Sequence, residues 1–340
     1  MPRRPPAVAR VLERVTRTAR EHEMFQPGDL VLVSCSGGPD SVCLLYSLWH
    51  LRRLFKIRLE VFHYDHALRP GSDKDAAYVR TLAQRLELPF HLRRADDGPR
   101  KGQSVEAWAR IARVTAANDV RRETGAASFA EGHTLDDQAE TVLLNLVRGS
   151  GLEGLTGIDP GHGVRTKWLQ PLIGIERSEV EAFCAALHLR PRRDPMNEDR
   201  RYLRAAIRHE VMPTLERATG RTVKGSIVRT SALLRRDLDE LRAATHRGYL
   251  DVVEGDRGRD VRIHVGKLRE LPDPVASRVI RLAAYNVFST DWAAPWSKDA
   301  IEAIVDLAQG RPGRERDLSG GLKAVREKEY VRVSRASPES

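Results

Sequence analysis

Residues 1–150 alternate short β-prone runs with longer stretches of helical periodicity, and this alternation constrains the fold more than any other feature. The runs span residues 29–34, 58–65, 89–94 and 127–131, and a helical stretch follows each of them. Strands that alternate with helices of this length form βαβ units, which build a parallel sheet covered on both faces. The sequence therefore predicts a Rossmann-like α/β domain that binds ligands beyond the carboxyl ends of its strands.

The pattern changes after about residue 215, where a second and smaller domain is predicted. A chain of 340 residues is long enough for about two domains. The later part contains an amphipathic helix at 222–249, a lone strand at 261–265, two more helices, and two strands around Ser319-Gly320-Gly321. We expect residues 1–215 to form the catalytic domain and residues 216–340 to form an α-rich domain with a C-terminal β-hairpin.

Charge and cysteine content narrow the class of protein. The chain has 57 Lys and Arg against 47 Asp and Glu, a formal net charge of +10. This excess favours a polyanionic partner such as nucleic acid, although a surface solvated by arginine gives the same balance. The three cysteines, Cys35, Cys43 and Cys184, form no Cys-x-x-Cys pair, which excludes a disulfide framework and predicts a cytoplasmic protein. No apolar run reaches the ~18 residues of a membrane span.

The segment Ser36-Gly37-Gly38-Pro39-Asp40-Ser41 lies between the first predicted strand and its helix. Its glycines allow several N–H groups to converge, and the start of the helix adds its positive dipole end, so the segment predicts a phosphate site. It is not a Walker A loop, because no Gly-Lys-Ser/Thr follows. An aspartate within such a site predicts a divalent cation, and Mg²⁺ suits its oxygen ligands. An ordinary glycine-rich turn is the alternative.

Seven segments follow one another in an order that is typical of one enzyme family. They are Ser36–Ser41, His63–Arg69, Glu106–Arg110 with Arg113, Gly132–Thr141, Arg148–Gly151, Asp194–Asn197 and Tyr202–Arg208. Over residues 7–215 this order resembles the tRNA(Ile)-lysidine synthetase family of the PP-loop ATP pyrophosphatase superfamily. The resemblance implies the PP-loop, adenine nucleotide alpha hydrolase-like type of fold. Two positions depart from the family pattern, with Ala205 in place of an asparagine and Met196 in place of a serine.

The resemblance implies a ligase that modifies the wobble cytidine, position 34, of the CAU anticodon of tRNA(Ile). ATP would adenylate the cytosine C2 oxygen with release of pyrophosphate, and the amine of free L-lysine would then attack C2 and expel AMP. The product, lysidine, pairs with adenosine, so the codon and amino-acid specificity change from methionine to isoleucine. The implied cofactors are ATP and Mg²⁺. The implied partners are this tRNA and lysine, without a membrane, and a homodimer is one assembly that we expect.

The candidate site residues divide by role. Asp136, Asp137 and Glu140 open a helix, can share one face, and are assigned to the lysine amine or the metal; stabilisation of the helix dipole is the alternative. Arg110 and Arg113 are assigned to charge that develops during catalysis, or to a solvated helix face. The loop Ser36–Ser41 is assigned to ATP, with Asp40 also catalytic and a ligand to Mg²⁺. His66 and His133 are assigned to ATP or to strand capping, and Arg204 and Arg208 to the tRNA backbone or, as the alternative, to the ATP phosphates.

Basic residues of the second domain are also expected to contact tRNA phosphates, and Lys224 begins one such helix. A solvated helix face would show the same charges. The alternative functions are a PP-loop enzyme that thiolates tRNA, an ammonia-dependent amide ligase, and a noncatalytic RNA-binding module. The thiolation enzymes generally need paired or persulfide-bearing cysteines, and the amide ligases need an ammonia source. A noncatalytic module would have no need of Asp40.

Overall fold

The computed structural model describes residues 4–68, 71–99, 102, 104–161, 168–192, 203–255, 260–288, 297–318 and 321–335. Arg69, Tyr202 and the Asp194–Asn197 segment with Met196 lie outside the described residues. The chain divides into two compact units, Met1–Ala232 and Leu233–Ser340. None of the described helices has both the length and the apolarity that crossing a membrane requires.

A parallel sheet forms the centre of the first unit. Its strands are β1 (Leu30–Ser34), β2 (Arg58–Asp65), β3 (Phe90–Arg94), β4 (Ser128–Ala130) and β5 (Trp168–Leu169). They lie in the order β3-β2-β1-β4-β5, and every neighbouring pair is parallel. The parallel sheet predicted from the sequence is confirmed. No prediction included β5, because two residues are too few to show a periodic pattern.

The helices of the first unit precede, connect and follow these strands. They are α1 (Pro6–Glu21), α2 (Pro39–Phe55), α3 (Ser72–Arg85), α4 (Val105–Thr124), α5 (Leu135–Val147), α6 (Leu152–Leu155), α7 (Arg177–Ala186), α8 (Leu203–Ala206) and α9 (Met212–Thr219). A π-helical segment, Ile207–Val211, joins α8 to α9. It places Arg208 one turn beyond Arg204, and such segments occur frequently at functional sites. The long helix α10 (Lys224–Val252) contains the division between the units.

The sheet is buried on both faces, which explains the nearly continuous apolar sequence of β1. Val33 belongs to an apolar cluster with Phe183 of α7, whereas its neighbour Leu32 belongs to a second cluster with Phe129 of β4 and Val120 of α4. Successive side chains of a strand point to opposite faces, so helices cover both sides of the sheet. Each fully buried side chain of this size stabilises the fold by about 1.5–3 kcal/mol.

The strand order places a crevice at β1. The strands β2 and β3 lie on one side of β1, and β4 and β5 lie on the other. The chain therefore leaves β1 and β4 at neighbouring points on the same edge of the sheet. Ligands of open α/β sheets bind at this topological switch point. The loop Ser36–Ser41 follows β1 there, and Glu131–His133 follows β4.

In the described residues, the second unit contains the later part of α10, an antiparallel sheet and three further helices. Its strands are β6 (Val253–Gly255), β7 (Asp260–His264), β8 (Glu315–Leu318), β9 (Leu322–Arg326) and β10 (Tyr330–Arg335), in the order β6-β7-β10-β9-β8. The helices are α11 (Val265–Glu270), α12 (Asp273–Phe288) and α13 (Lys298–Gln309). The predicted hairpin corresponds to β8 and β9. The predicted lone strand is β7, which pairs with β10 because a strand must satisfy its backbone groups.

Candidate active site

A cavity of about 570 Å³ lies at the carboxyl ends of β1, β2 and β4. Its lining includes many of the residues predicted for the site. These are Ser36, Asp40, Ser41, His66, Arg113, His133, Asp137, Arg204 and Arg208. Side chains separated by more than 160 positions in the sequence therefore meet where the switch point predicts a ligand.

The Ser36–Ser41 loop wraps around the side-chain oxygen of Ser41. The N–H groups of Ser36 and Gly37 donate to Ser41 Oγ at 3.2 and 3.1 Å, and this hydroxyl donates to the Gly38 carbonyl at 2.9 Å. Gly37 has a φ of +92°, and a Cβ there would lie 3.3 Å from the ring of Tyr78. Both facts favour glycine. Two N–H groups of the loop therefore converge on the oxygen of Ser41, and the phosphate site expected from the sequence stays a prediction.

Gly132 allows the segment after β4 to approach the nucleotide loop. A Cβ at this position would lie 3.0 Å from the carbonyl oxygen of Asp40 and 3.3 Å from the backbone nitrogen of Ser41. A larger residue would have to move the backbone at the start of α2. The glycine therefore fixes the distance between the two loops that bound the cavity.

Asp40 presents an unsatisfied oxygen to the site. Its Oδ1 is buried and accepts no hydrogen bond from the described residues, and its Oδ2 lies 3.7 Å from Arg177 Nη2. Burial raises the pKa of Asp40 from 3.8 to about 6, because the charge of Arg177 offsets the burial only in part. Buried polar atoms nearly always have a partner. A partner for this oxygen must therefore come from outside the described protein groups.

Asp137 caps α5 and also faces the cavity. Its Oδ2 accepts hydrogen bonds from the N–H and the hydroxyl of Thr134, both at 2.9 Å, within a capping box. Its Oδ1 lies 3.3, 3.5 and 3.6 Å from guanidinium nitrogens of Arg204, Arg208 and Arg177. Burial alone would raise the pKa of Asp137, but Arg204 and the other positive neighbours lower it. Oδ2 therefore stabilises the start of helix α5, which is the alternative role considered from the sequence, and Oδ1 belongs to the site.

Asp136 and Glu140 lie behind Asp137 and are fully paired. Asp136 accepts from Lys224 Nζ at 2.6 Å and from the backbone N–H of Arg177 at 2.9 Å. Glu140 binds Arg208 through both oxygens, at 2.6 Å to Nε and 2.8 Å to Nη2. Neither acid belongs to the cavity lining. Their contacts hold the cations that surround Asp137.

A row of polar side chains connects two of the predicted residues. Arg113 Nη2 lies 3.2 Å from Glu131 Oε1. Glu131 Oε2 accepts a hydrogen bond from Gln170 Nε2 at 3.4 Å, and Gln170 Oε1 lies 2.9 Å from His133 Nδ1. Glu131 and Gln170 directly follow β4 and β5, which are parallel neighbours with Ala130 opposite Leu169. The sheet register therefore places the two side chains next to each other.

Two other histidines lie at the cavity. His66 is neutral near pH 7, because burial and the positive charge of Arg113 lower its pKa to about 4. Its Nδ1 is buried and has no hydrogen-bond partner among the described residues. His63 makes a 2.8 Å hydrogen bond through Nδ1 to the carbonyl of Cys35 at the end of β1. Burial lowers the pKa of His63 as well.

The arginines assigned from the sequence occupy different surroundings. Arg113 lines the cavity, whereas Arg110 is exposed on α4 and lies outside the cavity lining. Arg204 and Arg208, which we assigned to the tRNA backbone or the ATP phosphates, line the cavity and pair with Glu140. Lys224, also assigned to tRNA, pairs with Asp136.

Some residues of the site gave no signal in the sequence. Arg177 begins α7 as an isolated arginine, outside every segment that we singled out. Glu131 belonged to a predicted strand, and Gln170 followed a strand that we did not predict. Glu131 and Gln170 could have been found only from their positions just beyond the carboxyl ends of strands, because ligands bind there in such folds.

This parallel sheet, with a glycine-rich loop after β1, defines an ATP-binding PP-loop domain. A family model described as the PP-loop domain matches residues 9–215. Among solved structures, the U34-tRNA thiolase NcsA from Methanococcus maripaludis has a similar fold. Its TM-score is 0.55 at 21% identity, over 66% of this chain and 80% of that chain. The predicted fold class is confirmed.

Curated relatives narrow the class to one family. The tRNA(Ile)-lysidine synthase of Symbiobacterium thermophilum is 34% identical over 97% of this chain and 70% of its own length. That of Leifsonia xyli subsp. xyli is 35% identical over 91% of this chain and 90% of its own. That of Cutibacterium acnes is 34% identical over 94% of each chain. The chain belongs to the tRNA(Ile)-lysidine synthase family, as the seven sequence segments indicated.

Proposed function

We propose that this chain forms lysidine at position 34 of the CAU anticodon of tRNA(Ile). ATP adenylates the C2 oxygen of the cytosine with release of pyrophosphate. The side-chain amine of free lysine then attacks C2, and AMP leaves with the electron pair of the C2–O bond. The observation that supports this best is a single cavity with a nucleotide loop on one wall and an acid–arginine cluster on the other.

The nucleotide wall consists of the Ser36–Ser41 loop, the start of α2 and the cations nearby. The amino end of α2 favours phosphate through its dipole. Arg177 lines the cavity, and the carboxylate oxygens that lie closest to its guanidinium among the described residues are 3.6 and 3.7 Å away. These distances exceed those of good hydrogen bonds, so its guanidinium retains donors for a phosphate. We propose that this wall binds the ATP triphosphate.

Mg²⁺ fits Asp40. The buried Oδ1, without a partner among the described residues, is a hard oxygen of the kind that Mg²⁺ prefers. Mg²⁺ commonly binds one or two carboxylates together with phosphates and water, so it does not need a cluster of three protein ligands. The described residues contain no such cluster. When bound, Mg²⁺ would neutralise charge on the phosphates.

The amine wall is centred on Asp137. Of the three acids on α5, only Asp137 lines the cavity, and the cations around its Oδ1 lie 3.3 Å away or farther. Asp136 already holds an ammonium group, that of Lys224, at 2.6 Å. We propose that Asp137 Oδ1 receives the ammonium of substrate lysine. Asp136 and Glu140 would act indirectly, by holding Lys224 and Arg208 in place.

The tRNA would contact the remainder of the chain. We propose that residues 1–215 form the catalytic domain and that residues 216–340 form the substrate domain. The exposed side chain of Arg110 is a further candidate for tRNA contact, since phosphate contacts position a nucleic acid. Assembly as a homodimer remains a prediction.

The chemistry of the cysteines disfavours tRNA thiolation. Cys35, Cys43 and Cys184 are all buried. Burial raises the pKa of Cys35 to about 11 and that of Cys184 to about 12, and it also raises that of Cys43. Sulfur reacts as the thiolate, so none of these thiols suits sulfur transfer.

Incorporation of labelled lysine into a tRNA(Ile) transcript with a CAU anticodon tests the proposed function. The full chain should incorporate label only with Mg-ATP, and replacement of the wobble cytidine by uridine should abolish the incorporation. Pyrophosphate release that depends on tRNA, without incorporation of lysine, would contradict the choice of nucleophile. Absence of both would contradict the reaction as a whole.

A further inference from the structure

Gln170 is a buried amide between two charged or titratable side chains of the site. Only 4% of its surface is exposed. Its Nε2 lies 3.4 Å from Glu131 Oε2, and its Oε1 lies 2.9 Å from His133 Nδ1. Glu131 in turn lies 3.2 Å from the guanidinium of Arg113. The reaction proposed above does not use Gln170 or Glu131.

The direction of the hydrogen bonds in this row follows from the two ends of the Gln170 amide. Glu131 Oε2 accepts the hydrogen bond from Gln170 Nε2, and a carboxylate oxygen accepts where an amide NH₂ donates. Gln170 must therefore turn its NH₂ group toward Glu131 and its oxygen toward His133. An amide oxygen only accepts, so His133 must have its proton on Nδ1. In this tautomer the lone pair is on Nε2.

We infer that Gln170 is a positioning residue that holds His133 in the Nδ1–H tautomer, so that Nε2 accepts a proton from the lysine amine. This inference rests on the proposed function. The ammonium of lysine transfers one proton to Nε2 and becomes a neutral amine. The amine nitrogen forms a bond to C2, the C2–O bond breaks with its electron pair on AMP, and the AMP phosphate takes up the proton that the newly bonded nitrogen releases.

The surroundings of His133 suit this role. His133 and Asp137 both line the cavity, and a positive charge on His133 is among the causes that lower the pKa of Asp137. An imidazolium formed at His133 is therefore attracted to the carboxylate that we propose for the lysine ammonium. General bases of this kind must lie within hydrogen-bond reach of the proton that they remove.

The tautomer can be measured directly, without any turnover. The probe is the full chain with ¹⁵N-labelled histidine, in which a His133→Gln variant identifies the His133 signals. We expect the Nδ1–H pattern in the unsubstituted chain and in Gln170→Glu, whose carboxylate also accepts from Nδ1. We expect Gln170→Leu to lose this pattern. An Nε2–H pattern in the unsubstituted chain would overturn the inference, as would an unchanged pattern in Gln170→Leu.

Kinetics test the catalytic part. In a single turnover, Gln170→Leu should slow lysine transfer about 10²-fold, the smaller end of the effect of general base catalysis. Pyrophosphate release in the absence of lysine should stay within about threefold, and Gln170→Glu should restore part of the transfer rate. Equal slowing of both steps would indicate a merely structural role and overturn the inference. If the unsubstituted chain transferred no lysine, the proposed function would be wrong. The NMR measurement would then still test separately whether Gln170 holds the tautomer of His133.

Discussion

Asp40 and Asp137 are buried aspartates on two walls of the same cavity, and their pKa values shift in opposite directions. On the nucleotide wall, burial raises the pKa of Asp40 to about 6. On the amine wall, Arg204 and other cations outweigh burial and lower the pKa of Asp137. Burial disfavours the charged form of both side chains, so the direction depends on their neighbours: Asp136 and Asp137 add to the rise at Asp40, whereas cations and the hydrogen bond from Thr134 lower the pKa of Asp137.

The two walls therefore differ in how much positive charge the protein itself provides around the aspartate. The nucleotide wall has an acid with too little positive charge around it, so it fits a cation that arrives with a ligand. On the amine wall the acids of α5 already have protein partners, which are Arg177, Arg204, Arg208 and Lys224. A lysine ammonium must share or replace one of these cations. We expect the phosphates of ATP to attract the arginines and thereby to open Asp137 to lysine.

The largest effect should come from Asp40. Asp40→Ala removes the oxygen that we assign to Mg²⁺, and we expect pyrophosphate release to fall about 10³-fold, as for the loss of a major electrostatic group. Affinity for tRNA should stay within about twofold, because Asp40 lies inside the cavity. Filter binding of labelled tRNA and a pyrophosphate assay measure the two quantities. Weak tRNA binding with normal pyrophosphate release would contradict the assignment of Asp40 to Mg-ATP and would indicate a role in tRNA binding instead.

Asp137→Asn should affect the other wall. The loss of a charge-assisted hydrogen bond of about 1.5–3 kcal/mol corresponds to a rise of roughly 10- to 100-fold in the KM for lysine. The KM for ATP should change far less. Asp136→Asn is the matched control, since Asp136 binds Lys224 and lies outside the cavity lining. Similar increases in the KM for lysine and the KM for ATP in Asp137→Asn would contradict separate roles for the two walls.

The pH dependence should distinguish the same two aspartates. Asp40 becomes protonated as the pH falls through about 6, so the affinity for Mg-ATP should fall roughly tenfold between pH 7 and pH 5. Asp137, with its lowered pKa, remains ionised there. Isothermal titration at both values measures this, and Asp40→Asn should bind weakly at both. A full pH effect retained in Asp40→Asn would assign the titration to another group.

The same titration has a consequence for stability. The pKa of Asp40 is above its unfolded value of 3.8, so the folded state binds the extra proton between about pH 4 and pH 6. The contribution of Asp40 to the free energy of unfolding therefore rises as the pH falls through this window. It is at most about 3 kcal/mol. Denaturant unfolding between about pH 4 and pH 6 measures this. The free energy of unfolding of the unsubstituted chain should rise relative to that of Asp40→Asn as the pH falls.

Gly132→Ala should produce the smallest of these effects. The added Cβ would meet the Asp40 carbonyl at 3.0 Å, and overpacking of this kind costs about 1–3 kcal/mol of stability. We expect the KM for ATP to rise several-fold and the KM for lysine to change little. Gly151→Ala is the control, because nothing lies within 4 Å of a Cβ at Gly151. Equal effects of the two substitutions on the KM for ATP would exclude the proposed contact.

The sequence predicted the nucleotide wall better than the amine wall, for a physical reason. The Ser36–Ser41 loop is contiguous, and its strand and helix can be recognised from local periodicity. The order of strands and the partners of Glu140 depend on contacts between distant segments, such as the 68 positions between Glu140 and Arg208. Local patterns therefore found Arg204 and Arg208 but not their pairing. They also missed Gln170, because β5 has only two residues.

The affinity for lysine, with and without nucleotide, tests the relation between the two walls most directly. It can be measured by titration of L-lysine into the full chain, alone and then saturated with Mg²⁺ and a non-hydrolysable ATP analogue. If phosphates attract the arginines away from Asp137, lysine should bind about tenfold more tightly with the analogue, a coupling of about 1.4 kcal/mol. Equal or weaker binding with the analogue would contradict this account.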